Sequence, residues 1–186
     1  NKESNYKGKA SINFSGTEII SNYKIEDGLI LLQSENSKLN NNFIEFGGEI
    51  NTSPFYYNIV VNLDSANLVK IIENLSKLKN LLDEKILLNK NLNGKIVFTI
   101  NSLKGTKFFD KVIANLNIIN GKLVLNNSEM ISNKIGKFFF KDSVIEIIDG
   151  KKIFKSKILF KVSNEKKFYQ KLQIPKNARI KLKNIY

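Results

Sequence analysis

The sequence predicts a mainly β protein, an antiparallel meander of strands that each have one face to bury. Three observations predict it. Apolar and polar residues alternate with period two along most of the chain, glycine-bearing turn signals separate these runs at short intervals, and one long run alone has helical period. Alternation sends successive side chains to opposite faces of a strand, so only one face can be dry.

The elements follow in order. "KASINFS" puts Ala10, Ile12 and Phe14 on one face, and "FIEFGGEI" does the same for Ile44, Phe46 and Ile50. In "FYYNIVVNLD", Tyr57, Ile59, Val61 and Leu63 point one way, and Asn58 and Asn62 the other. The helical run is "DSANLVKIIENLSKLKNLLDEK", where Leu68, Ile71, Ile72, Leu75, Leu78 and Leu82 recur at helical spacing. It predicts a helix near 66–82, with Asp64 or Ser65 as N-cap and Glu73 four residues before Lys77. At 1.5 Å per residue such a helix covers about 25 Å, too little for all the strands.

Strand alternation then resumes. "GKIVFTI" presents Ile96, Phe98 and Ile100, and "KVIANLNI" presents Val112, Ala114, Leu116 and Ile118. "NIINGKLVLNNSEM" hinges two such runs on Asn120-Gly121, a pair that favours the tight primed turns of hairpins. If the register allows, Leu116 and Ile118 meet Leu123 and Leu125. "GKFFFKDS" contributes core phenylalanines, and "KSKILFKV" presents Ile158, Phe160 and Val162. A short C-terminal helical stretch in "SNEKKFYQKLQIP" places Phe168 and Leu172 on one face and closes at Pro175. Turn signals end at Gly28, Gly48, Gly94, Gly121 and Gly150. The order of elements before and after residue 85 is similar enough to suggest two repeat-like halves, 1–85 and 86–186.

Composition limits the chemistry. The chain has 186 residues and 42% hydrophobic content, enough for a core, and neither cysteine nor histidine. Disulfides, thiol nucleophiles, catalytic imidazoles and nearly all zinc or haem sites are thereby excluded. The carboxylates are dispersed. Glu45 and Glu49 share a strand face, and Asp142, Glu146 and Asp149 surround one strand, an arrangement that solvated edges explain better than a paired-carboxylate site. No phosphate-cradling glycine loop and no calcium loop is present, so no cofactor is expected. The chain shows no signal segment and no apolar run long enough to span a bilayer, and it starts at Asn1, so it reads as a fragment of a longer protein.

The net charge is +13, with a single arginine, Arg179. Lysine is scattered beside abundant Asn and Ile, which points to compositional bias more than to nucleic acid, and "GKFFFKDS" lacks the order of an RNA-binding strand motif. No nucleic-acid partner is expected.

The run "KFFDKVIANLNIINGKLVLNNSEMISNKIGKFFFKDSVIEIIDGKKIFKSKILFKVSNEKKFYQKLQIPK", with "KFYQKLQIPKNAR" its most distinctive part, resembles the C-terminal region of the AsmA-like family of Gram-negative envelope proteins. The resemblance covers most of 93–186 and the first half more loosely. It implies a single AsmA-like segment over 1–186, a long curled antiparallel sheet forming an open apolar groove. It further implies a non-enzymatic role in phospholipid transport and outer-membrane biogenesis, in a periplasmic protein anchored to the inner membrane by a segment outside this sequence. The partners would be phospholipid acyl chains. Groove-lining residues would be Ile12, Phe14, Ile44, Phe46, Ile59, Val61, Leu63, Ile96, Phe98, Ile100, Leu116, Ile118, Leu123, Leu125, Phe138, Phe140, Ile158, Phe160 and Val162. In a groove, Leu116, Ile118, Leu123 and Leu125 would each be partly buried, and Leu123→Asp would fold with impaired lipid uptake. Lysines at strand edges either meet phosphate head groups or are simply solvated. The alternative is a structural or assembly scaffold of an envelope protein, its apolar face closed by a partner or by the rest of the chain.

Overall fold

The computed structural model describes residues 5–14, 17–71, 88–180 and 184–185. Its strands are β1 (Tyr6–Phe14), β2 (Thr17–Glu26), β3 (Leu29–Ser34), β4 (Lys38–Leu39), β5 (Asn42–Thr52), β6 (Phe55–Asn67), β7 (Gly94–Lys104), β8 (Lys111–Ile119), β9 (Lys122–Val124), β10 (Glu129–Ser132), β11 (Gly136–Ile148), β12 (Lys151–Val162) and β13 (Asn184–Ile185). All thirteen form one sheet in the order β1-β2-β3-β5-β6-β7-β8-β10-β11-β12-β13. The protein is mainly β.

Two short strands explain the gaps in that order. β3 and β4 both pair with β2 and β5, so together they occupy one strand position broken in the middle. β9 and β10 do the same between β8 and β11. The pairing plan of β1–β6 is therefore that of β7–β12. Each plan has five positions, an odd number, so β6 points the same way as β1. To start β7 in that direction the chain must cross back, and the β6–β7 pair is accordingly parallel, from Tyr57↔Gly94 to Asn67↔Lys104. A pure meander does not provide for this one pairing.

The breaks are closed by serine hydroxyls. Asn36 and Asn127 take φ of 46° and 63°, turning the chain out of the ladder, and Ser37 and Ser128 follow them into buried positions. Ser37 Oγ accepts from Ile20 N and donates to Ile20 O, both at 2.9 Å. Ser128 Oγ accepts from Asn115 N at 2.9 Å and donates to Asn115 O at 3.4 Å. A side chain thus satisfies the backbone groups that the interrupted strand leaves open.

Three of the five expected glycine turns are hairpin turns. Asp27-Gly28, Asn120-Gly121 and Asp149-Gly150 each have positive φ at both residues, which matches the twist of the strands they join. Gly48 and Gly94 are not turns. Gly48 lies within β5, where an added Cβ would collide with the backbone of Asn58 and Ile59, and Gly94 opens β7 beneath the Tyr57 ring.

Residues 68–71 are helical. The start is two residues later than expected because Ala66 and Asn67 complete the ladder with Leu103 and Lys104. Asn67 Oδ1 accepts from Val69 N at 2.9 Å, so neither Asp64 nor Ser65, both within β6, takes the capping role. The remainder of the expected helix, with Leu75, Leu78, Leu82 and the Glu73–Lys77 pair, lies outside the described residues. The C-terminal helix is Glu165–Lys171, capped by Asn164 Oδ1 on Lys167 N. Its buried pair is Phe168 and Tyr169; Leu172, one turn after Phe168 at the C-cap, is exposed and is not buried with it.

Candidate functional site

Directly opposed residues on neighbouring strands lie on the same face. The register therefore assembles apolar rows across the sheet. One runs Tyr6, Ile25, Ile30, Ile50, Tyr57, Gly94, Ile118, Leu123, Ile145, Phe154, through ten strands from β1 to β12. A second runs Ile44, Leu63, Ile100, Val112, Met130, Phe138, Phe160. Between them lie Ile59–Ile96–Leu116, Phe46–Val61–Phe98–Ala114 and Phe140–Ile158.

The residues expected to line a groove are brought together on this face. Ile12 pairs with Ile19 on it, Leu125 packs beside Ile118 and Leu123, and Val162 packs with Phe160 and Ile135. Phe14 ends β1 opposite Thr17. The hairpin register is the one required, since Ile118 faces Leu123 directly.

The chain itself covers part of the face. At one end of the β6–β7 crossover Leu68 and Ile71 pack on Leu63, Ile100 and Leu103; at the other, Leu88 and Leu92 pack on Tyr57, Ile118 and Leu123. The C-terminal helix lays Phe168 and Tyr169 on Phe160, which stacks on Phe138 with ring centroids 4.0 Å apart. Ile118 is consequently 4% and Leu123 6% exposed. Partial burial holds for Leu116 and Leu125 but not for these two, because Leu88 closes over them. They are core, and the tolerance expected of Leu123→Asp is withdrawn. The margins differ. Tyr6 and Ile12 on β1 are exposed, and on β12 Phe154 and Ile158 are 56% and 49% exposed.

Beside the cover residues Leu68 and Ile71, over the central strands, lies a cleft of about 620 Å³, within the range of small-ligand sites. Leu63, Phe98, Ile100, Val112 and Met130 form its apolar lining, with Asn42, Ser65, Asn67 and Lys104 among its polar members. Ser65 Oγ donates to Asn42 Oδ1 at 2.8 Å, so this hydroxyl is already engaged.

The opposite face is polar and bears the carboxylates. Glu45 and Glu49 oppose Asn62 and Asn58. Glu146 lies 2.6 Å from Lys122 Nζ and 3.1 Å from Lys155 Nζ, and hydrogen bonds from these two hold its carboxyl below the ordinary 4.5. Asp142 is lowered likewise by Lys157, and Glu35 by Lys9 and then Asn22. On the apolar face, burial first and Tyr56 second raise the Tyr57 hydroxyl above its usual 10.0. Among the described residues no three acidic side chains gather to hold a metal, and no helix is long and apolar enough to cross a membrane.

No family model matches this chain, and neither a curated protein nor a solved structure does.

Sequence reasoning missed several members of the face. Ile25 and Ile30 flank Asp27-Gly28 as Ile118 and Leu123 flank Asn120-Gly121, so one hairpin could have been read from the other. Leu88 and Leu92 stand in an Asn- and Lys-rich stretch with no strand or helix period, and nothing local marks them as a cover.

Proposed function

We propose that the chain is a non-enzymatic lipid-binding segment whose apolar sheet face receives phospholipid acyl chains where its own cover leaves that face open. The setting proposed with it is a periplasmic, inner-membrane-anchored protein of AsmA-like type serving phospholipid transport and outer-membrane biogenesis, and it rests on the sequence resemblance. The observation that carries the binding proposal is the apolar row that continues through ten strands past its covered middle, with Tyr6 and Phe154 exposed at its ends and Ile12 and Ile158 exposed beside them on β1 and β12. A closed core would end where its cover ends. Apolar residues left exposed on both sides of a partly covered apolar face mark a binding surface. An acyl chain suits it because it brings no hydrogen-bonding group to be satisfied in an apolar row.

Native mass spectrometry of protein purified from membranes tests this, together with uptake of a fluorescent phospholipid by delipidated protein. Co-purifying phospholipid and saturable uptake are expected. An apo spectrum with no uptake contradicts the proposal and favours a scaffold whose apolar face is closed by protein.

A further inference from the structure

The polar face carries a local excess of positive charge. Pairing sets Lys137 opposite Lys161 and Lys141 opposite Lys157 on β11 and β12, with Phe139 opposite Leu159 between them. Ile131 links Lys137 to Lys111 on β8. Like charges directly opposed destabilise a sheet, and here two such pairs stand on the same two strands. The carboxylates carried by β10 and β11 are already engaged: Glu129 lies 3.5 Å from Lys137, Asp142 3.0 Å from Lys157, and Glu146 between Lys122 and Lys155. Among the described residues, Lys111, Lys141 and Lys161 make no ion pair. On β1–β6 the balance is different. Lys9 pairs with Glu35 and Lys24 with Glu26, while Glu45 and Glu49 add uncompensated negative charge. Lys7 opposes Lys24 on β1 and β2 as well, but there the carboxylates balance the lysines, so it is the excess of lysine over carboxylate that is gathered at one end of this face.

We propose that this end of the polar face docks on the surface of an anionic phospholipid bilayer. Four neighbouring strands, β8, β10, β11 and β12, carry the patch, which at about 4.8 Å per strand spacing is ~15 Å wide. A field of point charges that broad suits a surface presenting many phosphates more than a single anion. Half-buried Phe139 and Leu159 lie among the ammonium groups, so the lysine stems have apolar surface to rest on while their heads reach the head-group layer. The one arginine is occupied elsewhere: Arg179 donates from Nε and Nη2 to Ile174 O and lies over the Tyr169 ring. That leaves no guanidinium for the forked contacts by which base edges are read. The inference concerns the face opposite the acyl-chain surface and stands or falls without it.

The test is co-sedimentation with vesicles of phosphatidylcholine containing a third phosphatidylglycerol, against pure phosphatidylcholine, over a salt series. Salt-sensitive binding to the anionic vesicles alone is expected. Each lysine near an anionic surface is worth roughly fivefold in partitioning, so Lys137→Gln, Lys141→Gln, Lys157→Gln and Lys161→Gln combined should lower it by roughly 100-fold or more. Lys7→Gln, Lys9→Gln, Lys24→Gln and Lys38→Gln combined remove the same charge from the other end and should lower it by less than about fivefold. Circular dichroism checks folding. Should the first combination not fold, the Lys137/Lys161 and Lys141/Lys157 double variants are read instead, each at roughly 25-fold. Equal losses in both sets, no preference for anionic vesicles, or tighter binding to an oligonucleotide at equal phosphate concentration would overturn the proposal.

Discussion

Replacing Leu123 and Ile158 by aspartate in turn separates core from open surface on a single face. Leu123 is 6% exposed beneath Leu88, beside Tyr57 and Ile118, whereas Ile158 is 49% exposed at the β12 margin. Truncating a buried leucine costs about 2–5 kcal/mol from lost transfer energy and the cavity left behind. A carboxylate placed there has no cationic partner and adds about 2 kcal/mol or more before it protonates or drags in water. Against a total stability of about 5–15 kcal/mol, Leu123→Asp should lower the melting temperature by at least about 10 °C or abolish the transition. Ile158→Asp keeps its carboxylate in water and should cost about 1 kcal/mol, a shift of about 3 °C. It should nonetheless weaken uptake of a fluorescent phospholipid severalfold, since it sets a charge among the apolar residues of the margin. Thermal melts by circular dichroism and uptake assays on both variants decide it. A Leu123→Asp variant that melts like the parent, or an Ile158→Asp variant that unfolds, would refute this division of the face.

The other predictions are structural. Ser37→Ala strands the Ile20 N–H, since Ile20 O keeps its bond from Glu35 N, and Ser128→Ala strands the N–H of Asn115; each should cost about 1–3 kcal/mol by thermal or urea unfolding. Having no common partner, the two should add in the double variant to within about 0.5 kcal/mol. Gly94→Ala would bring a Cβ to 2.5 Å from the Tyr57 ring, and the overpacking should cost about 1–3 kcal/mol; recovery with Tyr57→Leu would confirm that the ring is the obstacle. Glu146 has a depressed folded pKa, so its contribution is present above the unfolded value near 4.5 and is lost as pH falls through the folded value. The melting temperature of Glu146→Gln should accordingly lie below that of the parent at neutral pH, and the gap should close at pH values under 4.5.

Much of the fold was legible because a strand's face is a local property. Alternation in "FYYNIVVNLD" assigned Tyr57, Ile59, Val61 and Leu63 to one face without knowledge of neighbours, and the Asn120-Gly121 turn fixed the register of Ile118 on Leu123. What was not legible depends on pieces distant in sequence. The depth of Leu123 is set by Leu88, 35 residues earlier in a stretch with no period, so accessibility was misjudged where orientation was right. The parallel β6–β7 pair goes with an odd number of strand positions, and that count depends on β3 with β4 and β9 with β10 each sharing one position, which only their pairing with neighbouring strands reveals. The lysine patch is invisible in either strand alone, since Lys137 and Lys161 become neighbours only through the β11–β12 register.

The claim that the apolar face carries acyl chains is tested most directly by site-specific photocrosslinking in membranes. A photoreactive side chain is introduced in turn at Ile158 and Ile12 on the apolar face and at Val97 and Val60 on the other. The account predicts phospholipid adducts through the acyl chains from Ile158 and Ile12 and no acyl-chain adducts from Val97 or Val60. Adducts from the first pair that contain only protein would contradict it.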